Sequence, residues 1–391
     1  MVKIMVSKGY KQSEMGIIPE NWDVSTLEKE TKMERGKFSH RPRDDPAFFD
    51  GKYPFIQTGD VEKSNGYIID YSQTLNEKGL KVSRIFPSGI IVITIAATIG
   101  STALTTFPVC FPDSLIGIST KKMNIQFLEY FLQTKKEFLN SVATLGAQKN
   151  INYDTLKPLL IPKPEIEEQN KITEVLNDID DLIHNLNKLI DKKKKIKQGT
   201  MHLLLSGKKR LNGFNKKWKL EKLGNLLEYE QPTKFIVKKT DYNKNYPTPV
   251  LTAGKTFLLG FTNETNGIFN NLPVIIFDDF TTASKFVTFP FKVKSSAMKI
   301  LKQKNQNFNL KFLFEKIQSI KFEVGNHKRH WISQFQFLEV LLPDIDEQNI
   351  IEKTLTDMDN QINNLKIQKD KYIMIKKGMM QKLLTGKIRL K

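Results

Sequence analysis

The sequence is short of cysteine, of continuous apolar runs, of acidic residues and of recognisable catalytic signatures. Cys110 is the single cysteine among 391 residues. That excludes an internal disulfide framework and fits a reducing compartment, so a cytoplasmic setting is expected. No cysteine or histidine partner lies near it in sequence, so Cys110 is expected to be a buried structural thiol. No stretch of 18 residues is continuously apolar, so no transmembrane helix and no membrane partner are expected. Met1 to Tyr10 lack the apolar region of a signal peptide.

Neither a Gly-x-x-x-x-Gly-Lys-Ser/Thr phosphate loop nor a Gly-x-Gly-x-x-Gly fingerprint occurs. The Asn-Pro-Pro-aromatic and Asp-Pro-Pro-Tyr tetrapeptides of amino-methyltransferases are missing too. Asp278 and Asp279 follow an apolar run, where a metal ligand would fit. No acidic-x-Lys element follows them, so turn capping or DNA contact is the better reading. His327 and His330 have the spacing of a metal pair but no third ligand beside them, so zinc is not expected. The chain reads as non-enzymatic, with no catalytic residue, metal or cofactor of its own.

Acidic residues are outnumbered 42 to 61 by Lys and Arg, for a formal charge of +19. Such a balance favours a polyanionic partner, nucleic acid or an anionic membrane surface. The charge is uneven: residues 231–340 hold 16 basic and 7 acidic residues, whereas residues 22–158 hold 17 and 15. In the first stretch the basic residues cluster as Arg35 and Lys37, then His40, Arg41 and Arg43. In the second, His327, Lys328, Arg329 and His330 stand beside Trp331.

Proline is absent from residues 169–206 and 348–385, and these stretches belong to a repeat. Gln169 to Leu211 and Gln348 to Leu390 align without a gap at an offset of 179, with 21 identities in 43 positions. Ile172, Leu176, Ile179, Ile183, Leu186 and Ile190 alternate steps of four and three, as do Ile351, Leu355, Met358, Ile362 and Leu365. This heptad spacing keeps one apolar stripe facing a partner. Pro164 with Glu165, Glu167 and Glu168 opens the first copy, and Pro343 with Asp344, Asp346 and Glu347 opens the second. Acidic residues suit a helix start, and Gly207 and Gly386 are helix-terminating glycines. Each copy is expected to form a helix of roughly 55 Å. The shared register points to a pair with an interface of Leu176, Ile179, Ile183, Leu186, Leu355, Met358, Ile362 and Leu365, antiparallel if both globular parts are to face one partner from opposite ends. In that arrangement Leu176, Ile183 and Leu186 would meet Leu355, Ile362 and Leu365. The alternative is that each helix packs onto its own neighbouring domain.

The remaining sequence forms two mixed segments. Strands are expected at Tyr53–Gln57, Ile90–Ile95, Val274–Phe277 and Lys285–Val293, and short helices at Phe127–Leu132 and Leu310–Ile320. Each segment opens on a tryptophan, Trp22 or Trp218, and closes on an apolar run into Pro162 or Pro343. The organisation expected is a lead-in at residues 1–20, globular domains at 21–160 and 211–341, and long helices at 161–210 and 342–391. The fold class is α+β, with an internal pseudo-two-fold repeat. Matching frames with poorly matching interiors suggest two versions of one reading device.

These features resemble the DNA-specificity subunit of type I restriction-modification systems over nearly the whole chain. The residues that carry the resemblance are Ile18 to Trp22, Ile161 to Gln169, Leu342 to Gln348, and the endings Leu204 to Gly207 and Leu383 to Gly386. Inside the modules, Gly36-Lys37, Tyr53 to Ile56, Gly59 to Val61, Thr98 to Gly100 and Gln148 to Asn150 are similar to the family's target-recognition domains. So are Phe277 to Thr281, Lys285 to Val287 and Arg329 to Trp331, although the family often has Gly-Asp-His where this chain has Asp278-Asp279-Phe280. The resemblance implies two mixed α/β target-recognition domains separated by an antiparallel two-helix coiled coil. It also implies a split, asymmetric target in double-stranded DNA. The implied partners are two methyltransferase subunits, which carry S-adenosylmethionine, and restriction/translocase subunits. The residues expected to touch DNA are Arg35, Lys37, Arg41, Arg43, Gln148, Lys149 and Asn150 in one module. In the other they are Thr281, Lys285, His327, Lys328, Arg329 and His330. Competing readings are a stand-alone nuclease or methyltransferase, opposed by the missing motifs, and a coiled-coil adaptor, opposed by the basic second segment.

Overall fold

The structure is a computed structural model and describes residues 7–143, 150–252, 256–320 and 330–390. Two compact units divide the chain, residues 1–186 with 368–391 and residues 187–367. The division cuts through two long helices, Ile166–Leu205 and Ile345–Leu383. Both start where proline and acidic residues are found and end just before the expected glycines. Gly207 and Gly386 have φ of +70° and +69°, left-handed values that suit residues without a Cβ. The N–H of Lys209 bonds the carbonyl of Leu203, and that of Ile388 bonds Lys382, each at 3.2 Å. These bonds close the helix ends.

In the first unit the start of the first long helix runs antiparallel to the end of the second. Lys376 meets Asp180 at 2.7 Å, and Arg389 meets Glu168 at 2.6 Å. Ile172 and Leu176 join Met380, Leu383 and Leu384 in one core cluster. In the second unit Lys197 meets Asp359 at 2.7 Å and Lys193 donates to Gln361 at 2.9 Å. There Leu204 and Leu205 share a core with Ile351 and Leu355, with Met358 packed against it. The expected packing of Leu176 against the set Leu355, Ile362 and Leu365 is therefore corrected: Leu176 packs with Met380, Leu383 and Leu384, and Leu355 with Leu204 and Leu205. As residue numbers rise on one helix of an antiparallel pair they fall on the other. Within each unit the start of one long helix therefore meets the end of the other. Leu186, Ile190 and Ile362 are buried, and Ile179, Ile183 and Leu365 half-buried. The apolar stripe is thus a covered seam, and it merges into a globular core within each unit.

The first module contains β1 (Asp23–Thr26), β2 (Lys32–Arg35), β3 (Tyr67–Ile68), β4 (Ile91–Thr94), β5 (Thr102–Thr105), β6 (Leu115–Ser119) and β7 (Leu160–Lys163). Its main sheet has the order β2-β6-β4-β5-β3, and β1 pairs with β7. Ile91 and Ile93 point to the helix Ile125–Thr134 through Phe127, Leu128 and Phe131. Val92 points the other way, onto Phe86 and Val109 of a second, four-stranded sheet and onto Phe111 beside it. Period-two alternation with apolar residues on both faces is the mark of a strand covered on both sides. The lead-in departs from expectation: Tyr10–Ser13 pairs with Gly16–Pro19 in a hairpin. Ile18 is buried, and the Tyr10 hydroxyl donates to the Gly386 carbonyl at 3.2 Å.

The second module repeats the plan with β8 (Lys219–Lys222), β9 (Leu227–Glu230), β10 (Val274–Asp278), β11 (Ser284–Val287), β12 (Met298–Gln303) and β13 (Glu339–Leu342). Its main sheet has the order β9-β12-β10-β11, and β8 pairs with β13. Ile275 and Phe277 face the helix Leu310–Gln318, while Val274 and Ile276 face a three-stranded sheet. The strand expected at Lys285–Val293 is two strands, β11 and Lys292–Val293, in different sheets. Phe289 and Pro290 lie exposed in the turn between them.

Candidate nucleic-acid interface

Each module is held to the helices by the same polar joint. Glu168, buried at the start of the first long helix, accepts a two-pronged bond from Arg389 at 2.6 and 2.7 Å and the Trp22 indole N–H at 2.8 Å. Glu347 accepts the same from Arg210 at 2.7 and 2.6 Å and from Trp218 at 3.2 Å. Burial pushes the Glu168 carboxyl up, but the Arg389 guanidinium and the indole N–H outweigh it and hold it below its usual range. Next to each glutamate, Gln169 and Gln348 donate to the carbonyls of Pro164 and Pro343. Their side-chain oxygens accept the N–H of Asn124 and Asn309, the residues that cap the two short helices. The repeated Glu-Gln-Asn and Arg-Leu signatures are thus fasteners. Their spacing was visible in the sequence, but Arg210 and Arg389 were given no role there, because ion-pair partners 137 and 221 residues away leave no local pattern.

In the first module one end of the main sheet gathers the exposed cations. The Arg35 Nε donates to the backbone carbonyl of Asp113 at 2.6 Å. The Arg43 guanidinium meets one Asp113 carboxylate oxygen at 2.6 Å, and that of Arg41 lies 3.7 Å from the other. Arg41 is also tied to the carbonyls of Phe38 and His40. Lys37 is exposed and its N–H bonds the Phe111 carbonyl at 2.9 Å. Gly36 makes the approach possible, because a Cβ there would lie 2.2 Å from the Pro112 carbonyl oxygen. At the same sheet end the β4–β5 turn carries Ala97 and Gly100 at φ of +59° and +80°. Ile95 in that turn bonds both Ser114 and Ile151, and Ala96 bridges Asn150, which is exposed.

In the second module the β10–β11 turn occupies the equivalent place. The Asp278 carboxylate accepts the N–H groups of Phe280 and Thr281 at 2.8 and 3.2 Å. Asp279, 2% exposed, accepts Trp331 N–H on its carboxylate and His330 N–H on its carbonyl, each at 2.9 Å. Buried Lys299 lies 3.6 Å from the Asp279 carboxylate. The acidic pair is therefore a turn cap and an anchor for the short helix His330–Ser333. Thr281 and Lys285 are exposed on this turn and strand.

Of the expected DNA-contacting residues, Arg35, Lys37, Arg41, Arg43 and Asn150 come together at one end of the first module. Thr281 and Lys285 lie near each other in the second. His330 is corrected: the residue is 1% exposed, and its backbone N–H is bonded to the Asp279 carbonyl, so it lies buried rather than in an open loop. Gln148, Lys149, His327, Lys328 and Arg329 lie outside the described residues. Asp113 was not singled out in the sequence, since a lone aspartate between Pro112 and Ser114 carries no motif. Among the described residues no group of three or more His, Cys, Asp or Glu is placed to hold a metal, and no helix is long and apolar enough to cross a membrane. Cys110 is fully buried, and burial pushes its thiol up to about 11.

Two copies of one sheet-and-helix module, each with a cationic or polar sheet end and an identical fastening to long helices, define a duplicated recognition protein. The sequence profile for "Type I restriction modification DNA specificity domain" matches residues 19–198 and again residues 215–373, so the chain belongs to that family of DNA target-recognition proteins. A specificity subunit of the type I restriction enzymes EcoR124I/EcoR124II of Escherichia coli is 49% identical over 140 residues, covering 34% of this chain and 34% of that protein. A putative type I specificity subunit, MjaX of Methanocaldococcus jannaschii, is 24% identical over 100% of this chain and 99% of its own length. The fold matches the S subunit of a type I restriction-modification system from M. genitalium with a TM-score of 0.61 at 16% identity, over 93% of this chain and 96% of that one.

Proposed function

We propose that this chain is a non-catalytic specificity subunit that reads a bipartite, asymmetric duplex, one block of bases per module. It also carries two methyltransferase subunits, which supply S-adenosylmethionine, and through them the restriction subunits. The observation that supports the bipartite reading is duplication of the frame without duplication of its contents. Glu168–Arg389–Trp22 and Glu347–Arg210–Trp218 are the same joint twice. The sheet ends they support carry different side chains, three arginines around Asp113 in one and Thr281 with Lys285 in the other. Equal anchoring with unequal reading edges suits two different half-sites.

The scaffolding role is supported by a second stripe on the first long helix. Leu182, Leu189, Ile196 and Leu203 repeat at seven-residue steps and are 37 to 45% exposed. Exposed Lys188, Lys192 and Lys195 flank this stripe. Apolar residues at heptad spacing on a solvent face suit a helix from another subunit. Mapping methylated bases in the host genome tests the proposal. One motif with two defined, unlike blocks separated by undefined bases is expected. A single continuous or palindromic motif would oppose it.

A further inference from the structure

We propose that Asp113 is a specificity-positioning residue of the first module, orienting arginines for base reading while touching no base itself. The inference rests on the DNA-reading role proposed above. A carboxylate in the middle of a cationic patch is costly to DNA affinity, because it repels phosphates and cancels part of the charge that attracts them. It is placed where that cost has a structural return. Its carboxylate holds Arg43 at 2.6 Å and lies 3.7 Å from Arg41, while its own backbone carbonyl fixes Arg35 at 2.6 Å. Guanidinia from two separate stretches, residues 35 and 41–43, are thus gathered on one residue of a third, the loop before β6.

That loop is itself fixed. Gly36 and Lys37 donate to Leu115 and Phe111, each at 2.9 Å, and the missing Cβ of Gly36 lets the two backbones meet. The side chains of Arg41 and Arg43 remain 53% and 48% exposed and Arg35 is exposed, so their outer N–H groups are available to a ligand. An exposed ion pair adds little to fold stability. Its value here is geometric: a guanidinium reads guanine by two parallel bonds and must arrive in one plane, and a long side chain held at its inner edge loses less freedom on binding. Phosphate attraction needs only charge.

Two opposite effects follow for Asp113→Asn, which keeps the shape and removes the charge. Binding to random duplex strengthens, because one negative charge has left the patch. Discrimination at one half-site falls by about five- to tenfold, the loss expected when a bidentate base contact is loosened. The second half-site is unaffected. The experiment selects bound molecules from a randomised duplex library with the full chain assembled with its methyltransferase subunits, comparing wild type, Asp113→Asn and Asp113→Glu. Affinity for a fixed unrelated duplex is measured against salt in parallel. The expected result is one blurred block for Asp113→Asn with unweakened non-specific binding, and recovery of that block in Asp113→Glu. Unchanged discrimination, or a loss equal on all sequences, would overturn the assignment. If the wild-type complex itself selects no sequence, the DNA-reading proposal fails and this inference fails with it.

Discussion

At the scale of the residue, the buried glutamates of the two joints carry the sharpest consequences. Glu168 is buried and answered by Arg389, whose side chain is 16% exposed. Removing one partner from a buried pair leaves an uncompensated charge, which costs about 3–5 kcal/mol. Arg389→Ala should therefore lower unfolding free energy by about 3 kcal/mol in denaturant titrations, and Arg210→Ala by a similar amount through Glu347. A loss below about 1 kcal/mol would mean that these pairs behave as surface contacts. Glu129 presents the opposite case. Burial pushes its carboxyl up to about 7, against hydrogen bonds from Gln133 and Thr102 that lower it. The folded chain keeps this proton where the unfolded chain has released it, so stability falls as pH rises from about 4.5 to 7. The group's share of that fall is roughly 3 kcal/mol. Glu129→Gln should flatten this part of the stability-versus-pH curve, and a variant curve parallel to wild type would contradict the assignment.

At the scale of the element, what was legible in the sequence was whatever has a local period. The long helices follow from heptads, missing proline and terminal glycines. The β4 and β10 strands follow from β-branched runs, and the short helices from the apolar stretches Phe127–Leu132 and Leu310–Ile320. Contacts distant in sequence were not legible. The partners of Leu176 were misplaced along the second helix, because heptads in one shared register leave the longitudinal stagger of an antiparallel pair open. The lead-in hairpin was missed because Ile17 and Ile18 are a short apolar signal, made structural by partners near residue 386. His330 was taken for a surface donor because charge clusters show nothing of burial. The helices also carry a prediction of their own. If their length sets the unread gap in the target, an in-phase insertion at Lys192–Lys195 with its counterpart on the second helix should lengthen that gap. Unchanged spacing in a folded, active insertion variant would remove the ruler from the account.

At the scale of the whole molecule, the repeat is the organising fact. The same strand-pair closure, β1 with β7 and β8 with β13, and the same asparagine-glutamine contact occur in both modules. The interiors have diverged, down to the cores that face each second sheet. On the proposed reading, fasteners kept alike and sheet ends made unlike would let each module specify its own bases independently. Replacing residues 211–341 by the corresponding module of another family member tests this most directly, with methylation mapped in cells that supply the methyltransferase subunits. The account predicts a target whose first block and spacing are unchanged and whose second block is that of the donor. A target altered in both blocks, or in neither, would contradict it.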